Sequence, residues 1–140
     1  MPESLTVHEP LLVNTLGHSI GALLFGIFVF LLLNDRSRSR LRESHLSIAA
    51  GTLAFGWNFT MLLVLAVPRS EVWLSRLVLF AAAACLSFLP AVLLHLSLGM
   101  RYRITVIGGY FVGFAGTVLN AIGLLFTSAP YHSAAIIVLT

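Results

Sequence analysis

Four stretches without a single Asp, Glu, Lys or Arg divide this chain: residues 10–34, 44–68, 77–100 and 104–140. A helix rises about 1.5 Å per residue and needs about 20 apolar residues to cross the hydrocarbon core of a bilayer. The first three runs each supply one crossing. The fourth is interrupted by Ser128-Ala129-Pro130-Tyr131-His132-Ser133, a cluster of residue types that signals a turn. It supplies one span and then an apolar stub at 134–140, too short to cross. The stub leads us to expect that the natural polypeptide continues past Thr140 and that a fifth helix begins there. Strands are excluded because the apolar runs are continuous, whereas a barrel wall alternates with period two. Lipid offers no partner to backbone amides, so helices remain. The expected fold is all-α: one polytopic membrane domain over residues 1–140, with four transmembrane helices in an antiparallel bundle at about 10–34, 46–67, 73–98 and 104–127.

Composition agrees. Of 140 residues, 59% are hydrophobic and 9% charged, against about 25% charged in a soluble domain. A soluble chain this short has too little interior to hide so much apolar surface. That excludes an ordinary cytosolic enzyme, a disordered chain and a fibrous protein.

The eight basic residues are all arginine, and the formal net charge is +3. Arg36, Arg38, Arg40 and Arg42 sit together between two apolar runs without interleaved aromatics. This is a topology signal and not a nucleic-acid patch, so no nucleic-acid partner is expected. Loops 35–45 and 99–103 together carry six arginines, against Arg69 and Arg76 on the other side. The positive-inside rule then places those two loops in the cytoplasm and the N-terminus outside, in a bacterial inner membrane. No basic residue precedes Arg36, so the first run is read as a retained helix rather than a cleaved signal. Cys85 is the only cysteine, which rules out an intrachain disulfide.

Helices in lipid associate through small residues and interhelical hydrogen bonds. On the fourth helix Gly109, Gly113, Gly116, Asn120 and Gly123 recur on one face, and Gly17 and Gly21 mark the first helix. These glycines are read as packing seams. Pro90 interrupts the third helix's hydrogen bonding, and Gly99 is placed to cap it.

Counting along the helices puts His18, Asn58 and Asn120 about 10–14 Å from the same end. Polar groups at such depth need partners, so a His18–Asn58–Asn120 cluster is expected, with mid-span Trp57 beside it. It is either helix-to-helix glue or a ligand pocket. The cofactor is left open. A chlorophyll-type pigment, which needs one axial ligand, and a lipid are the two classes considered. Haem is disfavoured because His18 and His95 lie at different depths. No metal site and no catalytic residues are expected: there is no carboxylate pair in the spans, no HExxH and no phosphate loop after a strand.

The segments LLVNTLGHSIGALLFGIFVFLLLNDRSRSRLR (11–42), LSIAAGTLAFGWN (46–58) and LSFLPAVLLHLSLG (86–99) resemble the N-terminal multi-span membrane region of bacterial sensor histidine kinases, the acidobacterial type in particular. The resemblance covers about residues 10–103. It implies a membrane input module joined to a cytoplasmic ATP-dependent kinase. This chain lacks a phosphoacceptor-histidine helix and an ATP-binding domain, so none of the family's catalytic residues carries over. The expected function is thus a non-catalytic membrane sensor or signalling module. The other expectation is a small accessory subunit of a photosynthetic or respiratory membrane complex, contacting pigment or lipid. Membrane lipid and either other membrane subunits or further copies of the chain are the expected partners.

Overall fold

A computed structural model describes residues 8–34, 41–68 and 71–125, with side chains for 11–34, 45–68, 71–99 and 101–124. The 128–133 turn, the 134–140 stub and the side chains of Arg36, Arg38, Arg40 and Arg42 lie outside what is described. Four helices account for nearly all of it: α1 His8–Asn34, α2 Leu41–Ala66, α3 Val72–Leu98 and α4 Arg103–Leu125. No strand occurs among the described residues. All four helices are long and apolar enough to cross a membrane.

The second helix begins five residues earlier than expected, at Leu41. Charge marks where a span leaves hydrocarbon, but Arg42 and Glu43 are good helix formers in water, so the helix continues past that boundary. Helix α3 runs without a break through Pro90. It ends at Gly99, whose φ of 57° is left-handed and whose N–H donates to the His95 carbonyl. A one-turn 3-10 segment, Gly99–Tyr102, then leads directly into α4. Replacing Gly99 with Ala forces a Cβ into that positive-φ conformation. We expect Gly99→Ala to destabilise the protein by about 1 kcal/mol, as measured by denaturant titration in detergent micelles.

Each helix packs mainly on its neighbours in the chain: α1 on α2, α2 on α3, α3 on α4. The antiparallel bundle is therefore built in chain order, with α1 and α4 at its two edges. Its interior is made of small groups, chiefly Ala22, Ala50, Ala54, Ala82, Ser87 and Ala91, and no large side chain among the described residues is fully buried. Most large apolar residues point outward, Leu12 being 65% exposed and Ile104 88%, while Leu32, Val92 and Val106 are buried. In water such a surface would aggregate, whereas in lipid it is already solvated. The hydroxyls follow the same logic. Thr60, Ser87 and Thr117 donate to the carbonyls of Gly56, Ala83 and Gly113, one turn back. No hydroxyl proton there is left facing hydrocarbon.

Candidate functional site

The candidate site is assembled where α1 meets α2. Glycine permits the approach. A Cβ at Gly21 would run into the Asn58 carboxamide, and one at Gly51 would lie 2.8 Å from Val29 and 2.9 Å from Phe28. With the two backbones this close, His18 on α1 reaches Asn58 on α2.

The hydrogen bonds define a direction. The Asn58 Nδ2–H group donates to the Ala54 carbonyl at 2.8 Å. A carbonyl only accepts, so the amide end of Asn58 is pinned there and its oxygen faces His18. The Asn58 Oδ1 also only accepts, so His18 Nδ1–H donates to it, at 3.1 Å. In the neutral imidazole this leaves the lone pair on His18 Nε2. The Trp57 indole meets the imidazole edge-on, with ring centroids 6.1 Å apart at 78°.

Among the described residues, the buried side-chain polar atom without a partner is His95 Nε2. Among the described residues no hydrogen bond is formed by His18 Nε2 or the Trp57 indole N–H, and both side chains are half-buried. Asn58 lies eight residues from the end of α2, about 12 Å along the axis. The half-buried pair therefore holds one acceptor and one donor at a depth where lipid satisfies neither.

The fourth residue of the expected cluster is elsewhere. Asn120 donates through Nδ2 to the Gly116 carbonyl of its own helix, at 3.0 Å. Helix α4 packs on α3, and α3 stands between Asn120 and the α1–α2 seam. Counting residues gives depth, and depth does not specify lateral neighbours. The structure thus brings together His18, Asn58 and Trp57 and leaves Asn120 out.

The glycines divide in the same way. Gly109 packs against Leu94 and Ala91, and a Cβ at Gly113 would lie 2.7 Å from the Ser87 carbonyl oxygen. Gly116 is buried and Gly123 half-buried. Gly109 and Gly113, the first part of the stripe on α4, face α3 of the same chain. Gly21 packs, but Gly17 corrects the sequence reading: it is exposed, and a Cβ there would meet nothing within 4 Å. It follows that Gly17→Leu should leave stability unchanged within about 0.5 kcal/mol. Gly21→Leu should lower it by about 1–3 kcal/mol through overpacking. Parallel unfolding titrations of the two variants compare them directly.

Sequence reasoning missed one polar pair. His95 Nδ1 and the Tyr110 hydroxyl lie 3.2 Å apart, and the rings meet edge-on at 5.9 Å and 89°. Residue counting does not reveal it: His95 lies four residues before the Gly99–Tyr102 turn and Tyr110 eight after it, an offset of about 6 Å along the helices that the long tyrosine side chain spans. Cys85 is free and half-buried, with its Sγ 3.0 Å from where a Cβ on Gly56 would stand. No group of three or more His, Cys, Asp or Glu residues suited to a metal ion occurs among the described residues. The lone pair on His18 can accept one hydrogen bond or fill one axial position. No family model, curated protein or solved structure matches the chain.

Proposed function

We propose that this chain is a membrane sensor or signalling module without enzymatic activity of its own, as its resemblance to histidine-kinase membrane regions implies. The observation that carries the reading is the His18–Asn58 bond across the α1–α2 seam, with His18 half-buried and its Nε2 outside that bond. A ligand taking that nitrogen acts on the main seam that holds α1, because α1 packs mainly on α2. Signalling would be a shift of α1 against α2. A ligand moves that equilibrium only through different affinities for the two packings.

The proposed setting is a bacterial inner membrane, with loops 35–45 and 99–103 in the cytoplasm and the N-terminus outside; the arginine distribution supports it. Labelling of intact cells by a membrane-impermeant maleimide tests this in a Cys85→Ser background. Val72→Cys should react and Arg101→Cys should not.

The function is tested by spin labels on exposed positions of α1 and α3, Leu12 and Val72. Their distance distribution is compared in synthetic lipid and in total membrane extract from the source cells. We expect the extract to shift the distribution and His18→Leu to abolish the shift. An identical distribution in both membranes removes the proposal. Sequencing past the codon for Thr140 provides an independent check, with an in-frame kinase domain as the expected result.

A second reading, an accessory subunit of a photosynthetic or respiratory complex, draws on another observation. Ile104, Ile107, Phe111, Phe114 and Val118 are exposed and spaced alternately three and four apart along α4. That spacing is the one a helix-packing seam uses, and it is turned away from the rest of the chain. A stoichiometric partner in native mass spectrometry, or a pigment band lost in His18→Ala, would favour it.

A further inference from the structure

Where α1, α2 and α3 converge, at the end of the bundle away from His18, they enclose a partly open cavity of about 320 Å³. Phe25 and Phe28 form its α1 wall, Gly51 and Ala54 its α2 wall, and Leu89 and Leu96 its α3 wall. Ser47 is its one polar lining residue. The volume is that of a small-molecule site, and the lining is hydrocarbon.

Its position along the helices is specific. Leu96 stands two residues from the end of α3 and Leu89 nine, so the groove runs from about 3 to 14 Å below that end. On α1, Phe28 and Phe25 stand six and nine residues from Asn34, or about 9 and 14 Å deep. This is where the upper part of an acyl chain lies when its headgroup sits at the helix ends.

Charge selects the headgroup. The connections at that end of the bundle, residues 35–45 and 99–103, hold six arginines against Asp35 and Glu43. Arg101 and Arg103 are exposed there. The opposite end has Arg69 and Arg76 against Glu71, with Glu3 ahead of α1 and Glu9 in its first turn. Basic residues at a span end attract anionic lipid.

We propose that the groove between α1, α2 and α3 is a binding site for one anionic phospholipid, its acyl chain against Phe28, Gly51 and Leu93 and its phosphate at the end of the bundle where Arg101 and Arg103 are exposed. This site is separate from the seam at His18 and does not depend on a signalling role.

The test uses the full chain in detergent micelles, titrated with phosphatidylglycerol or with phosphatidylcholine of the same 14-carbon chains, and read by native mass spectrometry and thermal unfolding. We expect one phosphatidylglycerol to bind about tenfold more tightly than phosphatidylcholine, the preference that one or two nearby arginines confer. Leu93→Trp fills the groove from a position 45% exposed, and should weaken phosphatidylglycerol binding at least severalfold without changing the lipid-free melting temperature. Should that variant misfold, Leu96→Phe serves the same purpose. Arg101→Gln with Arg103→Gln should narrow the preference for phosphatidylglycerol. Equal binding of the two lipids overturns the anionic site. So does a phosphatidylglycerol preference unaffected by Leu93→Trp and Leu96→Phe, because the headgroup would then bind without the groove.

Discussion

Gly113→Leu should separate α3 from α4 and lower stability by about 2–3 kcal/mol, the upper part of the range for overpacked cores. The reason is the identity of the neighbour. A Cβ at Gly113 meets the Ser87 carbonyl oxygen at 2.7 Å and its carbon at 3.4 Å. These are backbone atoms inside a helix and cannot rotate away, whereas the side chains around Gly51 can. Ser87 is itself 2% exposed, and its hydroxyl is committed to the Ala83 carbonyl. The clash is therefore relieved only by moving one helix off the other. Gly113→Ala already carries the offending atom and should lose about 1 kcal/mol or more. Gly108→Leu, five residues earlier on the same helix, has nothing within 4 Å and should be silent within about 0.5 kcal/mol. Unfolding titrations of the three variants, with a cross-link between introduced cysteines on α3 and α4, provide the measurement. A stable Gly113→Leu with an intact cross-link would mean that the two helices do not meet at this face.

The second large effect is expected at the polar seam. Asn58→Leu leaves His18 Nδ1–H without its acceptor, and His18→Leu leaves the Asn58 oxygen without its donor. Each orphaned group is desolvated, and each substitution should lower stability by about 1–3 kcal/mol. The double variant removes donor and acceptor together and should lose less than the sum. The coupling expected of a hydrogen bond between membrane helices is about 0.6–1.7 kcal/mol. Strict additivity in this double-mutant cycle would show that the two side chains do not bond. Asn120→Leu is the contrast. Its amide bonds only within its own helix, so it should show no coupling to His18.

Much of this was legible from residue order. Charge-free runs located the spans because lipid penalises charge strongly and continuously along a helix. The terminal glycine of α3 was legible because few residues tolerate its φ. Depth was legible too: counting residues sets His18 and Asn58 at one level, and they bond. Asn120 shares the level and not the neighbourhood. Gly17 and Gly21 look alike on paper, yet one faces open space and the other meets Asn58. Which faces are used depends on helix rotation and on which helix stands beside which, and no local pattern encodes either.

From the order of residues alone follow the number of crossings, their lengths, the depth of each polar group and the asymmetry of charge between the two ends. All are properties measured along one axis, where a fixed rise per residue and the dielectric step at the membrane surface act locally. The order in which helices sit side by side arises otherwise. So do the pairing of His18 with Asn58, the exclusion of Asn120 and the groove beside Phe28. They result from contacts between segments distant in sequence, where a few close backbone approaches at Gly21, Gly51 and Gly113 select one arrangement of otherwise similar apolar cylinders.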